Sequence, residues 1–184
     1  MGEIRAAGHG LYMVFWGTII GIVGGVLSVI PLIGALVAVA GVVMELYGLY
    51  LMAQAADSYR TAFYCAIINL AVSAVSVFVN GTLISIVGDL VNLLLLYCVC
   101  TTTAGILEGL GGVEARAAAE RGLLVWKINL ACVIISVVCS VLVYVPVLGV
   151  LAGIAAVIML VVSLVGGILY LMFLYKSQAI LQAA

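Results

Sequence analysis

Charge is scarce in this chain: six Lys or Arg and seven Asp or Glu among 184 residues, 7% where a soluble domain carries about 25%. The net charge of −1 leaves no basic footprint to neutralise phosphates, so no nucleic-acid partner is expected. Histidine is nearly absent. With His9 alone, neither a Ser/His/Asp triad, nor an HExxH zinc helix, nor a His-rich metal set can be assembled, and no GxxxxGK phosphate loop occurs. The chain reads as a non-enzyme without cofactor or metal. Its two prolines, Pro31 and Pro146, each interrupt an apolar run. The five cysteines (Cys65, Cys98, Cys100, Cys132 and Cys139) lie in apolar segments, as free buried thiols do. Cys98 and Cys100, near a helix end, also have the placement of a lipid-attachment pair.

What remains is apolar: 68% of residues are hydrophobic and the mean hydropathy is +1.48, which makes the chain an integral membrane protein. The first apolar run has no small-x-small cleavage site and reads as a retained span. Leu11 to Met44 is 34 residues without charge, about 51 Å as one helix against a hydrocarbon core of roughly 30 Å, so it must turn. Proline lacks the N–H and disfavours helix in the residue before it, which places that turn at 29–32. Spans are expected over about 11–30 and 32–54. Two more cover 63–79 and 82–104, separated by Asn80-Gly81, a turn dipeptide. The uncharged 48 residues from Ile128 to Tyr175 divide at Pro146 into a fifth and a sixth span.

The expected fold is thus all-α: a single membrane domain of six transmembrane helices in three short-turn hairpins, about 11–54, 62–105 and 125–175. A cytoplasmic linker over 106–124 carries a short helix within EGLGGVEARAAAER. Arg5, Arg60, Arg116, Arg121, Lys127 and Lys176 all fall before span one, between spans two and three, around the linker, or after span six. The positive-inside bias then puts both termini in the cytoplasm of a cell-membrane protein.

The hairpins show signs of a threefold repeat. An offset of 48 lays Phe15-Trp16 on Phe63-Tyr64 and Ser28-Val29 on Ser76-Val77, and Tyr50, Tyr97 and Tyr170 close the even-numbered spans. Gly17, Gly21, Gly25 and Ser28 then correspond to Cys65, Asn69, Ser73 and Ser76, steps of three and four that keep each set on one helical face. Small residues at this spacing pack membrane helices closely, so Gly17, Gly21 and Gly25 are candidates for helix packing, within the chain, in a homo-oligomer or against a membrane partner subunit. Asn69 and Asn129 are larger than packing requires and need hydrogen-bond partners away from water.

Five residues before the closing tyrosines stand Glu45, Asn92 and Val165, so an acid and an amide occupy equivalent depths. Asp89 shares a helical face with Asn92. No basic residue within the spans can neutralise Glu45 or Asp89. Each must be protonated, hydrogen-bonded, hydrated or bound to a cation, because an ionised acid in hydrocarbon is costly. Glu45, Asp89, Asn92 and Asn69 are therefore the candidate ion- or ligand-binding residues, where repeats meet. A transport-related role follows, as carrier component or oligomeric channel. A non-catalytic scaffold or accessory subunit, its polar residues fixing helix pairing, is the alternative.

The six-span layout with Gly17, Gly21 and Gly25 on the first helix resembles the membrane substrate-binding components of energy-coupling vitamin transporters. That resemblance implies a small-residue contact between the first helix and a partner subunit. The very short outer turns depart from that family, whose outer loops cover the substrate. Three two-helix repeats are also similar to mitochondrial carriers, but their proline-acid-basic motif is missing after each odd helix.

Overall fold

The computed structural model describes residues 2–78, 82–142 and 146–183. They form six helices and, among the described residues, no strand: α1 Gly2–Val26, α2 Pro31–Ala55, α3 Ser58–Phe78, α4 Thr82–Leu110, α5 Val113–Leu142 and α6 Pro146–Ala183. Five of them (α1, α2, α4, α5 and α6) are, among the described residues, long and apolar enough to cross a bilayer, making this a multi-pass membrane protein. The sixth, α3, opens with Ser58, Tyr59 and Arg60 and carries Asn69, Ser73 and Ser76.

The first turn forms where proline requires it. After one 3-10 turn at Leu27–Val29, Ile30 is extended (φ −107°, ψ 95°) and Pro31 is the first residue of α2, where its missing N–H costs nothing. The expected turn at Asn80-Gly81 lies outside the described residues. The polar stretch corrects the expectation of a linker with its own short helix. α4 runs on to Leu110 and α5 starts at Val113, so the connection is two glycines, Gly111 (φ 71°) and Gly112 (φ 94°). Both occupy the left-handed region that only glycine adopts without cost. The Gly112 carbonyl accepts from Arg116 N–H at 3.2 Å and opens α5, whose first turn carries Glu114, favourable beside the unpaired N–H groups there.

Each helix packs on the next in chain order, α1 meets α6 to close the ring, and α4 touches α6 across it. The buried core gathers in one half of the bundle, at the N-terminal ends of odd helices and the C-terminal ends of even ones. It includes Leu11, Leu49, Met52, Tyr59, Val99, Leu107, Val125, Phe173 and Leu181. All six basic residues belong to this half. Within it the Tyr59 hydroxyl and Thr103 Oγ1 share a 2.8 Å hydrogen bond between α3 and α4, satisfying two groups that burial would otherwise strand. Cys98 and Cys100 are buried in the same core, which corrects the reading of them as a lipid-attachment pair.

The tightest interface is α1 on α2, and glycine makes it. A Cβ at Gly10 would lie 2.7 Å from the Gly48 carbonyl, one at Gly17 2.8 Å from the Gly41 carbonyl, and one at Gly24 2.5 Å from Ala38 N. The partner helix answers in kind: Cβ atoms at Gly41 and Gly48 would meet α1 backbone at 2.6 Å. The contact glycines are thus 10, 17 and 24 on α1 and 41 and 48 on α2, with Gly34, one step of seven earlier, packed on the 3-10 turn at Leu27 and Ser28. Seven-residue spacing keeps one seam facing its partner along two antiparallel helices, and absent side chains let the backbones touch. Of the glycines singled out by their four-residue spacing, Gly17 lies in this seam. A Cβ at Gly21 or Gly25 would meet nothing within 4 Å, although Gly21's backbone lies under Gly41.

Candidate functional site

The glycine seam sets the position of Glu45. A Cβ at Gly17 would stand 2.7 Å from Glu45 N and 3.0 Å from its Cα, so α1 covers the backbone of α2 at this residue. The carboxyl group lies on the other side, toward α3 and α4. There a cavity of about 200 Å³ is lined by Val42, Glu45 and Leu46 from α2, Ala66, Asn69, Leu70 and Ser73 from α3, and Asn92 and Leu95 from α4. Each set follows helical steps of three and four, one face per helix.

Three of the four candidate residues therefore converge: Glu45, Asn69 and Asn92. The fourth, Asp89, is exposed on α4 as Asn92 and Ser73 are, but it does not line the cavity. It precedes Asn92 by about one turn of α4, toward the end distant from the packed core; next to it, a Cβ at Gly88 would meet Val72 of α3 at 3.6 Å. Ser73, which had figured only in the small-residue stripe of α3, joins the lining. Asn129 sits elsewhere. Its Nδ2 donates to Val125 O at 3.0 Å, and Gly166 leaves it room against α6, which is a packing role.

Among the described residues, no hydrogen bond or ion pair engages the side chains of Glu45, Asn69 or Asn92, and no Lys, Arg or His lines the cavity. Polar groups held together in a membrane interior need a partner, here supplied by whatever fills the space. The available donor set is one carboxylate, two amide oxygens and one hydroxyl. These are hard oxygens of the kind that hold alkali or alkaline-earth cations, not soft metals. The described residues contain no group of three or more His, Cys, Asp or Glu that would hold a transition metal. At roughly 30 Å³ per water the cavity takes about six waters. It lies below the roughly 300 Å³ at which pockets for drug-sized organic ligands begin, and it has room for a partly hydrated ion.

No protein-family model, no curated protein and no solved structure matches this chain.

Proposed function

We propose that this protein is a transport-related membrane protein that binds a monovalent cation or a proton at Glu45, with Asn69, Ser73 and Asn92 completing the site. The observation that carries this reading is the convergence of these four side chains on one small cavity with no basic group among them. A single carboxylate balances a single positive charge, so a monovalent cation or a proton leaves the site neutral, whereas a divalent ion would leave it charged in a medium that penalises charge. We read the chain as six spans, α3 included, arranged as three hairpins derived from one repeat. Support comes from the recurrence in the sequence of Phe15-Trp16 as Phe63-Tyr64, of the closing tyrosines, and of Glu45 and Asn92 five residues before two of them. With all basic residues in the packed half, the positive-inside rule makes that half cytoplasmic and both termini internal, in a cell membrane. The protein acts without catalysis, alone, as a homo-oligomer or beside a membrane partner subunit.

The test pairs Glu45→Gln with Glu45→Ala. In detergent, a saturating monovalent cation should raise the melting temperature of the parent, as any ligand selective for the folded state does. Glu45→Gln should keep the fold and lose that response, together with cation or proton flux in liposomes. Full binding and flux by the Gln variant would remove Glu45 from the mechanism. The alternative then stands: a non-catalytic membrane scaffold, for which the close glycine seam of α1 and α2 is the supporting feature.

A further inference from the structure

We infer that a groove between α5 and α6, at the basic end of the bundle, binds the phosphate-bearing headgroup of a membrane phospholipid. This does not rest on the reading of Glu45, which lies on the opposite side of the ring. The two helices are pressed together at Gly122, where a Cβ would stand 2.5 Å from the ring of Phe173. Just beyond that contact they open into a cavity of about 400 Å³, into which Arg121 projects from α5 and Lys176 from α6. Ala117 and Ala179 keep its walls low, and Glu114, one heptad before Arg121 on the same face, stands at its far end.

Position and charge select the occupant. Lys127 and Lys176 bracket the uncharged stretch of 48 residues, so the water boundary of the membrane passes near both. Tyr175 beside the groove is 58% exposed, the placement of an interfacial aromatic. Arg121 lies about 9 Å beyond the level of Lys127, within reach of the headgroup layer. Among the described residues neither Arg121 nor Lys176 forms an ion pair, the only salt bridge being Arg60 with Asp57. Two cations from different helices, converging where lipid phosphates reside, form the kind of basic interhelical pocket that holds a headgroup. Arginine adds a bidentate fork for the phosphate oxygens. Glu114 supplies an acceptor for headgroup donors, the ammonium of phosphatidylethanolamine or the hydroxyls of phosphatidylglycerol; phosphatidylcholine has neither.

The experiment reconstitutes the full chain in nanodiscs of phosphatidylcholine alone, or with phosphatidylethanolamine or phosphatidylglycerol added, and follows thermal unfolding. A parallel arm adds inorganic phosphate to the phosphatidylcholine discs. Either added lipid should raise the melting temperature by roughly 3–5 °C, and free phosphate should not. Arg121→Gln and Lys176→Gln should each abolish most of the shift, and Glu114→Gln, which removes the acceptor that separates these lipids from phosphatidylcholine, should reduce it. Arg121→Lys should restore part of it, and Lys127→Gln, a charge change outside the groove, should leave it intact. Equal shifts in the parent and in both groove variants would overturn the proposal. So would an equal response to inorganic phosphate, or a loss as large in Lys127→Gln as in the groove variants.

Discussion

At the scale of single residues, the cavity predicts a division that helical periodicity alone does not. Asn69→Ala and Asn92→Ala each remove one oxygen from the cavity lining, and at about 1.5 kcal/mol for a lost ligand contact each should weaken the proposed cation binding about tenfold. Asp89→Asn, outside the lining and exposed, should bind as the parent does. Calorimetric titration of the three variants checks this, and a loss in Asp89→Asn equal to that in Asn92→Ala would place the site further along α4. Asp89 and Asn92 are alike to a sequence reader because both are polar and share a face of one helix. What separates them is the cavity: Asn92 lines it with Asn69 and Ser73 of α3, and Asp89 does not.

At the scale of elements, the α1–α2 hairpin concentrates its close approach in a few backbone contacts. Gly17→Ala and Gly41→Ala place a methyl where backbone atoms already stand within 3 Å, and overpacking of this kind costs about 1–3 kcal/mol. Gly25→Ala meets nothing, so it should be neutral or stabilise by up to about 1 kcal/mol through helix propensity. Thermal or denaturant unfolding in detergent separates the two outcomes, and equal effects at positions 17 and 25 would mean that the seam does not form. Two spacings coexist in this stretch. The four-residue step 17, 21, 25 is visible on α1 alone, whereas the seven-residue step of the seam becomes legible only when 10, 17, 24 is set beside 41 and 48 on the following helix.

At the scale of the whole molecule, the arrangement of charge predicts a sidedness. In a background lacking the five cysteines, Val29→Cys, exposed between α1 and α2, should react with a membrane-impermeant thiol reagent applied outside intact cells, and Glu108→Cys, exposed before the α4–α5 turn, should not. Reaction of Glu108→Cys under those conditions would invert the topology. The same scale sets the length of the α4–α5 connection. Glu, Arg and Ala between 108 and 121 suit a short helix in water, but α4 and α5 extend through this region and pack their alanines, Ala104, Ala115, Ala118 and Ala119, into the core. Tertiary burial lengthened two helices at the expense of the loop.

What the sequence determined by itself is what local chemistry and the bilayer impose. Length and apolarity require helices, Pro31 requires a break after Ile30 and a helix start at its own position, and an acid without a base in an apolar run requires a counter-ion, proton or hydrogen bond. Only the tertiary structure decided which faces meet: that Gly17 covers the backbone of Glu45 and leaves its carboxyl to α3 and α4, that Asn69 and Ser73 join it and Asp89 does not, and that Arg121 and Lys176, 55 positions apart, share one groove. The physical reason is that periodicity specifies a direction around a helix axis, while the angular placement of each helix against its neighbours depends on which side chains are small enough to let two backbones touch.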